Sequence, residues 1–151
     1  MSRFASPLTR TLVLSQPPGQ DFPDTLLVRR RLNAGEQYTM YSRVYRHEDS
    51  AQLALRAALI ARSTCVAYLL DWSVLDDQGQ KVAIAGQPPD IVEQVLLALD
   101  PDHYAEIRDA IEQHVFEMNE ERAAEKKTRD GAITSPATSP SLAVAAGAMN
   151  G

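Results

Sequence analysis

The chain has 151 residues, 44% of them hydrophobic and 23% charged, with a net charge of −5 at pH 7. That length fits one domain and a tail, and the acidic balance argues against a general nucleic-acid binder, whose phosphate contacts need a basic surface. A single cysteine, Cys65, excludes an internal disulfide, and no stretch approaches the ~18 or more apolar residues of a membrane span.

Charge is distributed unevenly. Residues 1–62 hold nine Arg against five Asp/Glu, residues 63–130 hold six Lys/Arg against fifteen Asp/Glu, and residues 131–151 hold no charged side chain. The opening "MSRFASPLTRTLVLSQPPG" has too short an apolar stretch for a secretory signal and is interrupted by Pro7. A soluble, cytoplasmic protein is expected.

Residues 8–14, "LTRTLVL", read as a short strand, and residues 15–24, with three prolines and one glycine, as irregular chain. Residues 26–32, "LLVRRRL", read as a second strand whose alternation fails at Arg30. Asn33 followed at the third place by Glu36 is a capping-box pattern that predicts a helix over 34–46, although "QYTMYSRVYR" also has strand composition. Asp49 and Ser50 offer an N-cap for "AQLALRAALIARSTCVAYLL", residues 51–70. Its Ala/Leu-rich first part predicts a central helix buried on several sides, giving way to a strand beyond Ser63.

The turn Asp76-Asp77-Gln78-Gly79 then leads into an extended "KVAI". Pro88-Pro89-Asp90 starts a short helix over 91–98, and Asp100-Pro101 starts a long one reaching to about 127. Tyr104, Ile107, Ile111, Val115 and Met118 form one apolar stripe on that helix, at spacings of 3, 4, 4 and 3. The remaining Ser/Thr/Ala/Pro/Gly tail has no period and is expected to be disordered. The fold class predicted is α+β and mainly helical. Residues 1–25 form a strand and Pro-rich loop, 26–130 a helical core domain, and 131–151 a tail.

No phosphate-loop, dinucleotide, zinc-protease, nucleophile-elbow or paired-cysteine motif occurs. His103 and His114 lie eleven residues apart, roughly 16 Å on one helix, too far to share a metal. His47 adjoins Glu48 and Asp49, but side chains adjacent in sequence diverge. Cys65 lies in apolar chain without a basic neighbour and reads as a small core residue. Arg29-Arg30-Arg31 reads as a solvated strand edge before a phosphate grip. With no constellation to catalyse anything, the expectation is a non-enzymatic protein needing no cofactor or metal.

The only tryptophan, Trp72, stands where the apolar run ends and the acidic turn begins, in "LDWSVLDDQGQKV". Its expected role is structural, with the indole packed beneath the turn and its N–H capping a carbonyl. Gly79, Tyr104, Ile107 and Ile111 are likewise expected to be structural.

The order of these parts resembles the tail assembly chaperones of long-tailed bacteriophages and prophages. An Ala/Leu-rich helix runs into "DW" and "DDQG"; a helix, an "LDPDHYAEI" N-cap and a long amphipathic helix come after. The likeness covers roughly residues 26–122. It implies binding of the tape-measure protein, keeping it soluble, and recruitment of tail-tube protein in the cytoplasm of a bacterial host, with absence from the mature virion. It also implies a possible frameshifted longer form as partner, since Glu125-Lys126-Lys127 fits a slippery codon run; self-association is a further option. On this reading Val115 and Met118 are the exposed apolar end that meets a partner helix. A structural tail-completion or connector component of the virion, and a small helix-turn-helix regulator, are the alternatives.

Overall fold

A computed structural model describes residues 8–45 and 53–133. Among these residues three strands and four helices occur, in the order β1 (Thr9–Val13), β2 (Thr25–Arg29), α1 (Ala34–Tyr45), α2 (Leu53–Tyr68), β3 (Leu69–Trp72), α3 (Pro89–Leu97) and α4 (Pro101–Ile133). The class is α+β and mainly helical. The chain divides into two compact units, Met1–Val115 and Phe116–Gly151; the sheet, α1 to α3 and the start of α4 belong to the first.

The sheet is antiparallel with β2 in the middle, in the order β1-β2-β3. Side chains alternate across a strand, so one residue in two can face the helices. On β2 these are Leu26 and Val28, both fully buried. Register then builds two inner rows: Leu12 beside Leu26 beside Trp72, and Arg10 beside Val28 beside Leu69. Leu69 and Trp72 are three residues apart yet both buried. The register shift opposite Leu27 and Val28 leaves Leu70 unmatched and brings the two onto one face, as a bulge does.

The first connection is pinned at both ends. Leu14 and Asp24 share a backbone bond of 2.8 Å, and Gly19 takes φ +82° in the turn between them. The Ser15 N–H and hydroxyl both donate to the Glu106 carboxylate, at 2.8 and 2.9 Å, which ties β1 to the first turns of α4.

α1 begins with the reciprocal cap its sequence predicts. The Glu36 N–H donates to Asn33 Oδ1 at 2.8 Å and the Asn33 N–H to Glu36 Oε1 at 2.9 Å. Within the helix Thr39 and Ser42 donate their hydroxyls to the carbonyls four residues back, which accommodates residues of weaker helix propensity. The expected Asp49/Ser50 cap lies outside the described residues.

α2 departs from expectation in two ways. The helix persists through Thr64, Cys65 and Val66 and yields to β3 only after Tyr68, not at Ser63. Thr64 donates its hydroxyl to the Ile60 carbonyl, while Cys65 and Val66 are buried, so tertiary packing overrides β-branching. Nor is α2 buried on several sides: Arg56, Ala57, Ala58 and Ile60 are exposed, while Leu59, Ser63, Cys65 and Val66 are buried.

Beyond Trp72 the acidic turn forms as read. Asp76 Oδ1 accepts the N–H groups of Gln78 and Gln80, both at 2.9 Å, and Gly79 takes φ +77°, which favours glycine. The extended "KVAI" is anchored by a single bridge, Leu75 to Lys81, and by Val82 donating to Val74 at 3.1 Å. α3 starts at Pro89, and Asp100 accepts the Asp102 N–H at 3.0 Å to open α4, which extends to Ile133, past the expected 127. Residues 134–151, expected to be disordered, lie outside the described residues.

Candidate functional site

Of the residues expected to be structural, Trp72 is 3% exposed and its indole N–H donates to the Val82 carbonyl at 2.8 Å, as the turn reading requires. Ile107 and Ile111 are buried, with Tyr104 half-buried against the same core. Cys65 is buried in that core; burial, reinforced by the Glu112 carboxylate, pushes its thiol up to about 12.

That shift fixes the sign of a pH dependence. The folded state holds the proton more tightly than the unfolded chain, whose thiol ionises near 8.5. The stabilisation is complete below that pH and is lost as pH rises toward about 12. The expected slope is about 1.4 kcal/mol per pH unit within that window. Urea unfolding at pH 8 and pH 10, compared with Cys65→Ala, checks it; parallel losses in the two proteins would refute it.

Val115 and Met118 are not the exposed apolar end. Val115 is half-buried and packs on the core of the first unit, and Met118 is 7% exposed. Phe116 is the large apolar side chain exposed beside them. The stripe closes differently because His114 belongs to it. His114 is buried, its Nε2–H donates to the Arg29 carbonyl at 2.9 Å, and its ring meets Tyr68 edge-on at 5.8 Å. Nδ1 is then the acceptor toward Arg10, at 3.4 Å, which sets the tautomer. His47 lies outside the described residues. No cluster of three or more His, Cys, Asp or Glu with metal-binding geometry occurs among the described residues. No helix of those residues is long and apolar enough to cross a membrane.

Two features of the first unit remain as candidate surfaces. One is the outer face of α1. Tyr38, Tyr41 and Tyr45 recur at i, i+3 and i+7, and all three are exposed, Tyr38 to 75%. The helix has two charged residues, and both are engaged elsewhere: Glu36 pairs with Arg29 at 2.8 Å, and Arg43 turns to α3. The outward face of α1 is therefore aromatic and uncharged.

The other is a cleft of about 470 Å³ walled by β2, α1, α2 and the start of α3. Met40, Val66, Ala67 and Pro89 supply its apolar lining, with Arg29, Glu36, Arg43 and Ser63 among the polar groups. Arg29 is held by Glu36 and by donating to the Ala67 carbonyl at 3.1 Å. The guanidinium of Arg43, a buried residue, binds Asp90 at 2.6 Å and Glu93 at 3.0 Å, and Arg62 binds Glu93 at 3.0 Å. Burial alone would lower the Arg43 pKa; the Asp90 and Glu93 carboxylates outweigh it and hold the group above its usual range. The three cations are matched by three carboxylates, so these charges balance.

No family model, curated protein or solved structure matches the chain. The family suggested by its sequence thus rests on the resemblance alone. Arg43, Glu93 and Ser63 share no local pattern in the sequence and are brought together only by folding. His114 was legible, since its spacing of 7 from Ile107 and 3 from Ile111 places it on the buried stripe.

Proposed function

We propose that this protein is a non-enzymatic tail assembly chaperone, binding an apolar helix of a tape-measure protein, keeping it soluble and helping recruit tail-tube subunits. The observation that carries the reading is the uncharged tyrosine face of α1. A partner helix offers apolar groups at helical spacing, and anchors at i, i+3 and i+7 are the complement such a helix meets. Tyrosine gives large contact area at low entropic cost and is enriched at interfaces. Ala57, Ala58 and Ile60, exposed on α2, add apolar surface on the helix that packs against α1. A long client helix with bare apolar stripes would aggregate without such cover.

The test is co-expression with an insoluble tape-measure fragment. The triple substitution Tyr38→Glu, Tyr41→Glu, Tyr45→Glu is expected to leave circular dichroism and the unfolding midpoint nearly unchanged. It should reduce the soluble yield of the fragment at least about tenfold, since each lost anchor at the centre of an interface costs about 2 kcal/mol or more. Undiminished rescue by the triple variant would remove α1 from the interface and the support for this role with it.

A further inference from the structure

The cleft between α1, α2 and β2 has a property that its ion pairs do not explain. Ser63 is fully buried on α2 and its hydroxyl has no hydrogen-bond partner among the described residues; the same holds for Nε of Arg43, another residue of the cleft wall. A helical serine ordinarily donates to the carbonyl four residues back, as Thr64 does next to it. Burying an unpaired donor destabilises the fold, so an orphan of this kind asks for an explanation. Both residues line one cavity, although the orphan atoms themselves are sealed from it, and its size falls in the range of sites that enclose a ligand.

The surroundings narrow the ligand. Most of the surface that the walls present is apolar, which selects an apolar body. Arg29 is matched by Glu36, and Arg43 and Arg62 by Asp90 and Glu93, so no cation is left over to compensate an incoming carboxylate. A carboxylate would also enter beside Glu36 and would lose its hydration, at a far greater cost than a neutral carbonyl. What the donors lack is an uncharged acceptor. Ser63 Oγ is sealed from solvent in this structure, and rotation about its single χ1 bond, between staggered wells, is the movement that offers it to a ligand.

We propose that this cleft binds an aliphatic side chain of a partner polypeptide together with its uncharged main-chain carbonyl, which accepts a hydrogen bond from Ser63. The inference rests on the client-binding role for the source of that segment, and not for the chemistry of the site.

The probe is N-acetyl-leucinamide, titrated into the full ¹⁵N-labelled chain, with the carboxylate N-acetyl-leucine as comparator. The amide is expected to shift the Thr39, Ser63 and Ala67 resonances saturably, with a Kd on the order of a few millimolar, as suits a ligand of about a dozen heavy atoms. N-acetyl-leucine should bind at least about fivefold more weakly. Ser63→Ala should weaken the amide roughly three- to tenfold without lowering the unfolding midpoint, because it removes a donor that is unpaired in the free protein. Thr39→Trp, at an exposed position on the rim, should abolish binding. Equal affinities for amide and acid, or an affinity unchanged in Ser63→Ala, would overturn the assignment, as would shifts that never saturate near the cleft. If the amide binds as expected and Thr39→Trp still rescues a tape-measure fragment, the ligand class stands and the client role of the cleft falls.

Discussion

Trp72→Ala is expected to lower the unfolding free energy by about 3–5 kcal/mol, a large share of the 5–15 kcal/mol typical of a native domain. The indole ends the inner row formed with Leu12 and Leu26, belongs to the same buried cluster as Ile84 and Leu96, and satisfies the Val82 carbonyl at 2.8 Å. Removing it leaves a cavity in the core and an acceptor without its donor. Trp72→Phe separates the two effects: it retains part of the ring volume and loses the N–H, so a loss of about 1–3 kcal/mol is expected. Urea unfolding monitored by circular dichroism measures both. A midpoint unmoved by Trp72→Ala would mean that the corner is not part of the core.

The second large effect is expected from Arg43→Met, at about 2–3 kcal/mol. Methionine keeps much of the aliphatic stem and removes the guanidinium that joins α1 to α3. Asp90 is mostly exposed and water can take over its solvation, so its bond contributes little. Glu93 is far more enclosed; after the substitution only Arg62 would compensate it. Adding Glu93→Gln should recover part of the loss, because the stranded carboxylate is then gone. A double variant no more stable than Arg43→Met would show that Glu93 is not left under-compensated, and that the stem's packing carries the effect.

Local chemistry in this chain was legible because its partners are close in sequence. Asn33 and Glu36 are three residues apart, Asp76 and Gln78 two, and Asp100 and Asp102 two; each pair forms the bond its spacing implies. Trp72 and Val82, ten apart, were within reach of the same reasoning once the turn between them was recognised. The α2–β3 boundary was not, because β-branched residues read as strand until burial of Cys65 and Val66 is known. The outward residues of α2 were hidden for the opposite reason: an alanine-rich apolar pattern looks buried all round, whereas here Ala57, Ala58 and Ile60 face outward. The Arg43–Glu93 pair joins residues fifty apart that share no local pattern. The cleft, being the space left between four elements, has no signature in sequence at all.

The direct passage from Tyr68 to Leu69 leaves the chain without slack at that point. One residue added there would turn the end of α2 by about 100° relative to the strand and exchange the two faces of β3. Asp71 would be driven toward the interior and Trp72 toward water. The segment 16–23 stands in contrast: it is a loop between the pinned residues Ser15 and Asp24, and longer or shorter versions change chiefly the cost of closing it, which varies slowly with length. Over generations, then, gains and losses of residues can accumulate ahead of β2, while at the helix–strand seam the reading frame of the fold itself is fixed to the residue.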